Sequence, residues 1–373
     1  MKFRLLLLFL ALPLGAQAQS YTYSSLVDFP PQSQNGPLFA NPITAMDAQG
    51  NLYGTSLEGG AYEQGTVFKV SPEGVLTVLH SFNGNDGVYP SVGVTRDPAG
   101  NLYGTVGGGP GGWGVLYKLA PDGNETFLYN FPNKPPYGNY PNHGVTIDPV
   151  GNLIGYTSFT DKNDRTNGGS IYKFTQPGGF AIKYIFAELG GSSNGTGPVG
   201  TPLRDKSGVY YGATCCSGIG GGGTVFKFTT SGTLTVLYGF NSISGGVSSP
   251  QGGLVQDAAG NLFGLGRAGI YEITATGAEE DFYLAPFGVH PRPSLLIDSD
   301  GNLYGTNDFG GIYESGALFR VTANGIETDL YSSPGPPLND GLLMDQAGNI
   351  YGSEFAGGAN GTGSIFKLTK GKR

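Results

Sequence analysis

Asp97-Pro98-Ala99-Gly100-Asn101-Leu102-Tyr103-Gly104-Thr105 reads as a tight turn running into a short strand, and the phrase returns along the chain. DAQGNLYGT starts at Asp47, DPVGNLIGYT at Asp148, DKSGVYYGAT at Asp205, DAAGNLFGLG at Asp257, DSDGNLYGT at Asp298 and DQAGNIYGS at Asp345. That makes seven copies spaced about 40 to 57 residues apart, the spacing of blades in a β-propeller.

Around each phrase the chain divides into four β segments. In the second repeat they are GVTRD from Gly93, NLYGT from Asn101, GVLYKL from Gly114 and TFLYNF from Thr126. The third segment recurs as GTVFKV, GSIYKF, GTVFKF, GIYEI, GALFRV and GSIFKL. All are rich in β-branched and aromatic residues and bounded by turn residues. The expected fold is all-β: a seven-bladed propeller of four-stranded antiparallel blades, at about 38–82, 91–131, 143–186, 199–240, 252–287, 294–331 and 340–368. The last repeat stops after its third strand, while Tyr23–Phe29 resembles the fourth-strand segments LTVLHSF and LTVLYGF. Residues 22–29 are therefore expected to complete the last blade, close the ring and cover an open sheet edge.

Residues 1–18 read as a cleavable leader: Lys2 and Arg4, an apolar run from Leu5 to Leu14, then Ala16-Gln17-Ala18. The mature chain, a single domain from residue 19 to 373, is expected to be secreted or periplasmic. No second apolar stretch is long enough to span a bilayer. The formal net charge is −8, and about −10 once Lys2 and Arg4 leave with the leader, which argues against nucleic acid and anionic membranes as partners.

At GNLYGT and GTVFK the chain resembles the GloVer tandem-repeat family of exported bacterial proteins, over nearly all of its mature length. The resemblance implies export and a repeat scaffold. It implies no activity and supplies no catalytic residues.

The repeated residues read as scaffold. Asp followed two positions later by Gly-Asn is turn chemistry, and a calcium site needs six to eight converging oxygens where the phrase offers one carboxylate. The third-strand cations, such as Lys69, Lys118 and Lys367, are expected to pack their stems between blades, with their heads reaching water or the turn Asp. A single site cannot be seven-fold symmetric, so function is sought where the repeats differ.

They differ on the rim formed by the 2-3 and 4-1 loops. The fifth 2-3 loop holds only Arg267-Ala268, against eight to eleven residues in the others. The resulting notch adjoins Val289-His290-Pro291-Arg292-Pro293, so Arg267, His290 and Arg292 are candidates for the edge of a groove. Tyr62, Tyr89, Trp113, Tyr137 and Tyr140 add rings to the same rim. Trp113, the only tryptophan, either stacks on a ligand or folds over the core. Cys215 and Cys216, adjacent in the fourth 2-3 loop, form either a vicinal disulfide or a free or metal-binding dithiol.

The functional expectation is a monomeric binding module for an extracellular glycan or a cell-surface protein, with no cofactor, no metal site and no membrane span. One alternative is a lyase or hydrolase using His143 or His290 with rim carboxylates such as Asp308 or Glu314. As a pair across the rim, these histidines resemble the His-dependent lyases built on seven-bladed propellers. The other alternative is a structural envelope or matrix protein.

Overall fold

The structure, a computed structural model, describes residues 20–132, 140–158, 168–186, 193–242, 249–284, 292, 294–339 and 341–371. Their strands form seven antiparallel sheets, which are the seven blades.

Blade two shows the plan. Thr95–Arg96, Leu102–Val106, Val115–Leu119 and Glu125–Asn130 pair in sequence order from the axis outward. Blade one adds a strand, Pro37–Ala40, beside Leu52–Gly59. Blade four opens on the long strand Thr196–Arg204, whose register slips between Val199 and Leu203.

Blade seven is made from both parts of the chain expected to meet. Tyr21–Asp28 pairs antiparallel with Ser364–Lys370, from Tyr21 opposite Lys370 to Asp28 opposite Ser364. Tyr23 then stacks on Tyr331 of blade six at 4.1 Å and donates its hydroxyl to Glu354 Oε1 at 3.0 Å. The same strand therefore seals a sheet edge and an interface between blades.

The core is divided among the interfaces. Between blades one and two lie Val67, Phe82, Leu102, Val115 and Leu119, and corresponding clusters fill the gaps around the ring. Both faces of a blade are covered, so its third strand is almost continuously buried. Within the buried run the charged residue is the one that reaches toward solvent, half-exposed at Lys69 and Lys118 and exposed at Lys227.

Each residue of the repeated phrase has a structural task. Asp47 Oδ1 accepts the backbone N–H of Asn51 at 2.9 Å, and Oδ2 accepts Asn51 Nδ2 at 2.8 Å and the Tyr53 hydroxyl at 2.9 Å. The arrangement recurs at Asp97, Asp298 and Asp345. The Thr that closes the phrase reaches the next blade: Thr55 donates to the Val92 carbonyl at 2.8 Å and Thr105 to that of His143 at 3.0 Å. The third-strand cations do not pair with the turn Asp among the described residues. Tyrosine hydroxyls occupy that carboxylate instead, and Lys367 places its ammonium 5.4 Å from the ring centre of Tyr351.

Candidate functional site

Antiparallel pairing puts the 1-2 and 3-4 turns on one rim and the 2-3 and 4-1 loops on the other. Exposed loop aromatics lie on the second: Tyr62, Phe309, Tyr313 and Phe355 in 2-3 loops, Tyr89 and Tyr140 in 4-1 loops. Among the described residues the short-turn rim exposes Val75, Val150 and Ile326, and no ring.

Tyr89 and Tyr140 are held by their backbones. Each precedes a proline and has a left-handed φ, 51° and 54°, a conformation that costs on the order of 1 kcal/mol and persists only where the surroundings enforce it. Here the Tyr89 N–H donates to the Gln64 carbonyl at 2.8 Å and the Tyr140 N–H to the Trp113 carbonyl at 3.0 Å. Each 4-1 loop is thereby fastened to the 2-3 loop of the blade before it.

Inside this rim, at the axis, is a cavity of about 410 Å³, within the range of small-molecule sites. Thr44, Ser91, Thr95, His143, Thr201, Gln251 and Ser294 supply its polar lining, and among the described residues no Asp, Glu, Lys or Arg lines it. Thr44 Oγ1 donates to the Val94 carbonyl at 2.8 Å and Thr95 Oγ1 to that of Val145 at 2.5 Å, tying neighbouring inner strands together around the axis. A larger recess, about 980 Å³, is an open groove on the opposite rim between blades four and five. Among the described residues its only ring, Tyr211, has its hydroxyl committed to Asp205.

His143 is part-buried at the cavity, with Nε2 3.4 Å from Ser158 Oγ and its ring edge-on to Tyr156. Loss of solvent lowers its pKa to about 4, so the imidazole is neutral near pH 7 and able to accept a proton. His290 and Tyr137 lie outside the described residues.

The other candidates are distributed around the rim. Trp113 is 9% exposed and packs into the cluster between blades two and three, where Tyr140, 43% exposed, meets it edge-on at 5.1 Å. Arg267 is exposed on a two-residue turn closed by Gly266 opposite Gly269. Arg292 forms an ion pair with Asp308, so its charge is already matched. Glu314 is exposed in the same 2-3 loop as Asp308. Cys215 and Cys216 are bonded to each other, with Cα atoms 3.7 Å apart.

One grouping escapes the sequence reading, which assigned no metal site and left His80 on an outer strand. His80, Asp86 and Glu125 converge between blades one and two. Burial, with Asp86 beside it, raises the Glu125 carboxyl to about 8.

The fold is similar to that of streptogramin B lyase, at 13% identity with 94% of this chain and 98% of that one aligned and a TM-score of 0.62. It is also similar to a gluconolactonase from Xanthomonas campestris, at 12% identity, 94% and 90% coverage and a TM-score of 0.52. A third likeness is to oligogalacturonate lyase from Vibrio parahaemolyticus, at 9% identity, 94% and 96% coverage and a TM-score of 0.54. At such identities the likeness is one of fold alone. No curated protein matches the chain in sequence. The model of the Gloeobacter/Verrucomicrobia repeat matches residues 39–277, more than half of the chain, and the protein belongs to that repeat family.

Proposed function

We propose that the chain is exported and binds a neutral extracellular glycan on its long-loop rim, with the axial cavity as the deepest subsite. The observation that carries this reading is the pairing of a hydroxyl-bearing cavity, uncharged among the described residues, with a surround of exposed rings. Sugars offer apolar C–H faces to aromatic rings and hydroxyls to neutral donors and acceptors, and an uncharged cavity imposes no desolvation cost of unpaired ions. A surface protein is the second kind of partner that such aromatic loops would accept.

The sole tryptophan provides the assay. Trp113 lies against exposed Tyr140, so a sugar seated there should change its emission. Titration of the mature chain with neutral oligosaccharides is expected to give a saturable change in fluorescence. No saturable response across a polysaccharide array, by fluorescence or retention, would end the glycan reading. N-terminal sequencing of the exported product tests cleavage near residue 19.

The location of His143 at the cavity favours a second reading, a lyase or hydrolase with that imidazole as general base. Among the described residues no carboxylate lines the cavity to orient the ring. Turnover abolished by His143→Gln, with glycan binding retained, would establish this reading over a purely binding role.

A further inference from the structure

Successive blades meet through a pair of positions that can be followed around the ring. Opposite the second residue of the third strand, or in blade four opposite Val225, the fifth residue of the longer strand Gly221–Phe228, stands a tyrosine in blades two to six: Tyr129, Tyr184, Tyr238, Tyr283 and Tyr331. Tyr129 lies flat on Phe180 of blade three, with ring centres 3.6 Å apart. Phe180 in turn stands opposite the fifth residue of its own third strand, Phe174. The same two positions at the first interface hold His80, opposite Val67, and Glu125, opposite Leu119. Where the second interface has an aromatic stack, the first has an imidazole and a carboxylate.

Asp86, in the loop from blade one to blade two, joins them. His80 Nε2 is 3.2 Å from Asp86 Oδ2 and 3.6 Å from Glu125 Oε2, and all the donor atoms lie within 4.8 Å of one another. The side chains of His80, Asp86 and Glu125 are only 17, 9 and 11% exposed. Asp86 Oδ1 is taken by the Asn83 N–H at 2.7 Å, which leaves Oδ2 to the cluster. Glu125 Oε1 is buried and has no hydrogen-bond partner. Among the described residues, no Lys or Arg pairs with either carboxylate. Two carboxylates against one imidazole, in a site with little water, lack positive charge.

We propose that His80, Asp86 and Glu125 hold a divalent cation of the zinc type that clamps blade one to blade two. Tetrahedral coordination with ligand bonds of 2.0–2.2 Å sets neighbouring donor atoms about 3.3–3.6 Å apart. Both distances from His80 Nε2 are close to that spacing. One imidazole with two carboxylate oxygens suits zinc, whereas calcium requires six to eight oxygens. The free Glu125 Oε1 or a water molecule supplies the fourth ligand. The clamp lies among outer strands and is independent of the rim's function.

The test uses untagged mature chain, stripped with chelator and titrated calorimetrically with Zn²⁺ at pH 7, with Ca²⁺ and Mg²⁺ in parallel. The expected result is one Zn²⁺ per chain, with a melting temperature that rises with zinc concentration and falls again on chelation. His80→Tyr gives this interface the side chain of the other blades, and Glu125→Gln replaces a ligand oxygen by an amide at nearly constant volume. Either variant is expected to weaken zinc binding at least tenfold while still melting cooperatively without metal. Absence of zinc binding by the wild-type chain, or binding by the variants as tight as that of the wild type, would overturn the proposal. So would tighter binding of Ca²⁺ than of Zn²⁺ at this site.

Discussion

The ring of Tyr172 lies on Gly155. The two are register partners in neighbouring strands of blade three, and a Cβ at Gly155 would stand 2.4 Å from the Tyr172 hydroxyl oxygen. The same partnership joins Gly54 to Phe68, Gly104 to Tyr117, Gly212 to Phe226, Gly264 to Tyr271, Gly305 to Phe319 and Gly352 to Phe366. The Gly of the repeated phrase is thus the bed for the aromatic residue of the third strand. Gly155→Ala is expected to destabilise the chain by about 1–3 kcal/mol through overpacking, read as a lower urea midpoint at unchanged slope.

The partner residue has the opposite prospect. The Tyr172 hydroxyl is fully buried and has no hydrogen-bond partner, and burial pushes its pKa up. Blades one, four, six and seven carry Phe at this position. Tyr172→Phe removes an uncompensated polar atom and keeps the ring, so stability is expected to stay level or rise by about 1 kcal/mol. A loss above 1 kcal/mol in the same urea titration would mean that the hydroxyl has a partner, such as a buried water.

The number of blades and the closure of the ring were legible because the phrase at Asp97 serves local needs, those of a turn and a strand, that every blade shares. The bond from Tyr53 to Asp47 was not, because it depends on which face of a strand meets which turn, so the Lys heads were wrongly offered that carboxylate as a partner. Within the site, the 2-3 loop from Asn307 to Gly316 already displayed Phe309 and Tyr313, yet nothing in the string separates an exposed ring from a buried one such as Trp113. The His80 cluster left a trace, since LTVLHSF has His where LTVLYGF has Tyr238. Its carboxylates come from a loop and from another blade, which only folding brings together.

Closure of the ring makes the N-terminal segment structural. Tyr21–Asp28 supplies a whole strand, and Phe29, fully buried, donates its N–H to the Gly363 carbonyl at 2.9 Å. Removing residues 19–30 would expose the strand Ser364–Lys370 and open the core between blades seven and one. A melting temperature at least 10 °C lower is expected, since several buried side chains at roughly 1.5–3 kcal/mol each are lost together. An unchanged melting temperature would mean that blade seven is stable without this strand.

His143 gives stability a dependence on pH. Its pKa falls from 6.5 to about 4 on folding because burial disfavours the charged ring. Between those values the unfolded chain holds a proton that the folded chain lacks, so stability falls as pH falls through the window and levels off below about 4. His143→Gln is expected to remove this part of the slope, on the order of 2 kcal/mol. Urea midpoints of both proteins from pH 4 to 7.5 test it, and parallel curves would place the imidazole in water.

Trp113 and Tyr140 are in contact but do different work. Trp113 is 9% exposed and belongs to the cluster containing Phe131 and Leu153, whereas Tyr140 is 43% exposed and held outward by its left-handed backbone. Truncating the first leaves a cavity, and truncating the second removes surface that a ligand would cover. Trp113→Ala is therefore expected to cost about 3–5 kcal/mol of stability. Tyr140→Ala should cost less than about 1 kcal/mol of stability, as surface changes do. It should weaken glycan binding about tenfold, the scale of one aromatic stacking contact. Melting curves and oligosaccharide titrations of both variants, the latter read by calorimetry because one lacks the tryptophan, separate the roles. Unchanged affinity in Tyr140→Ala would remove this part of the rim from the binding surface.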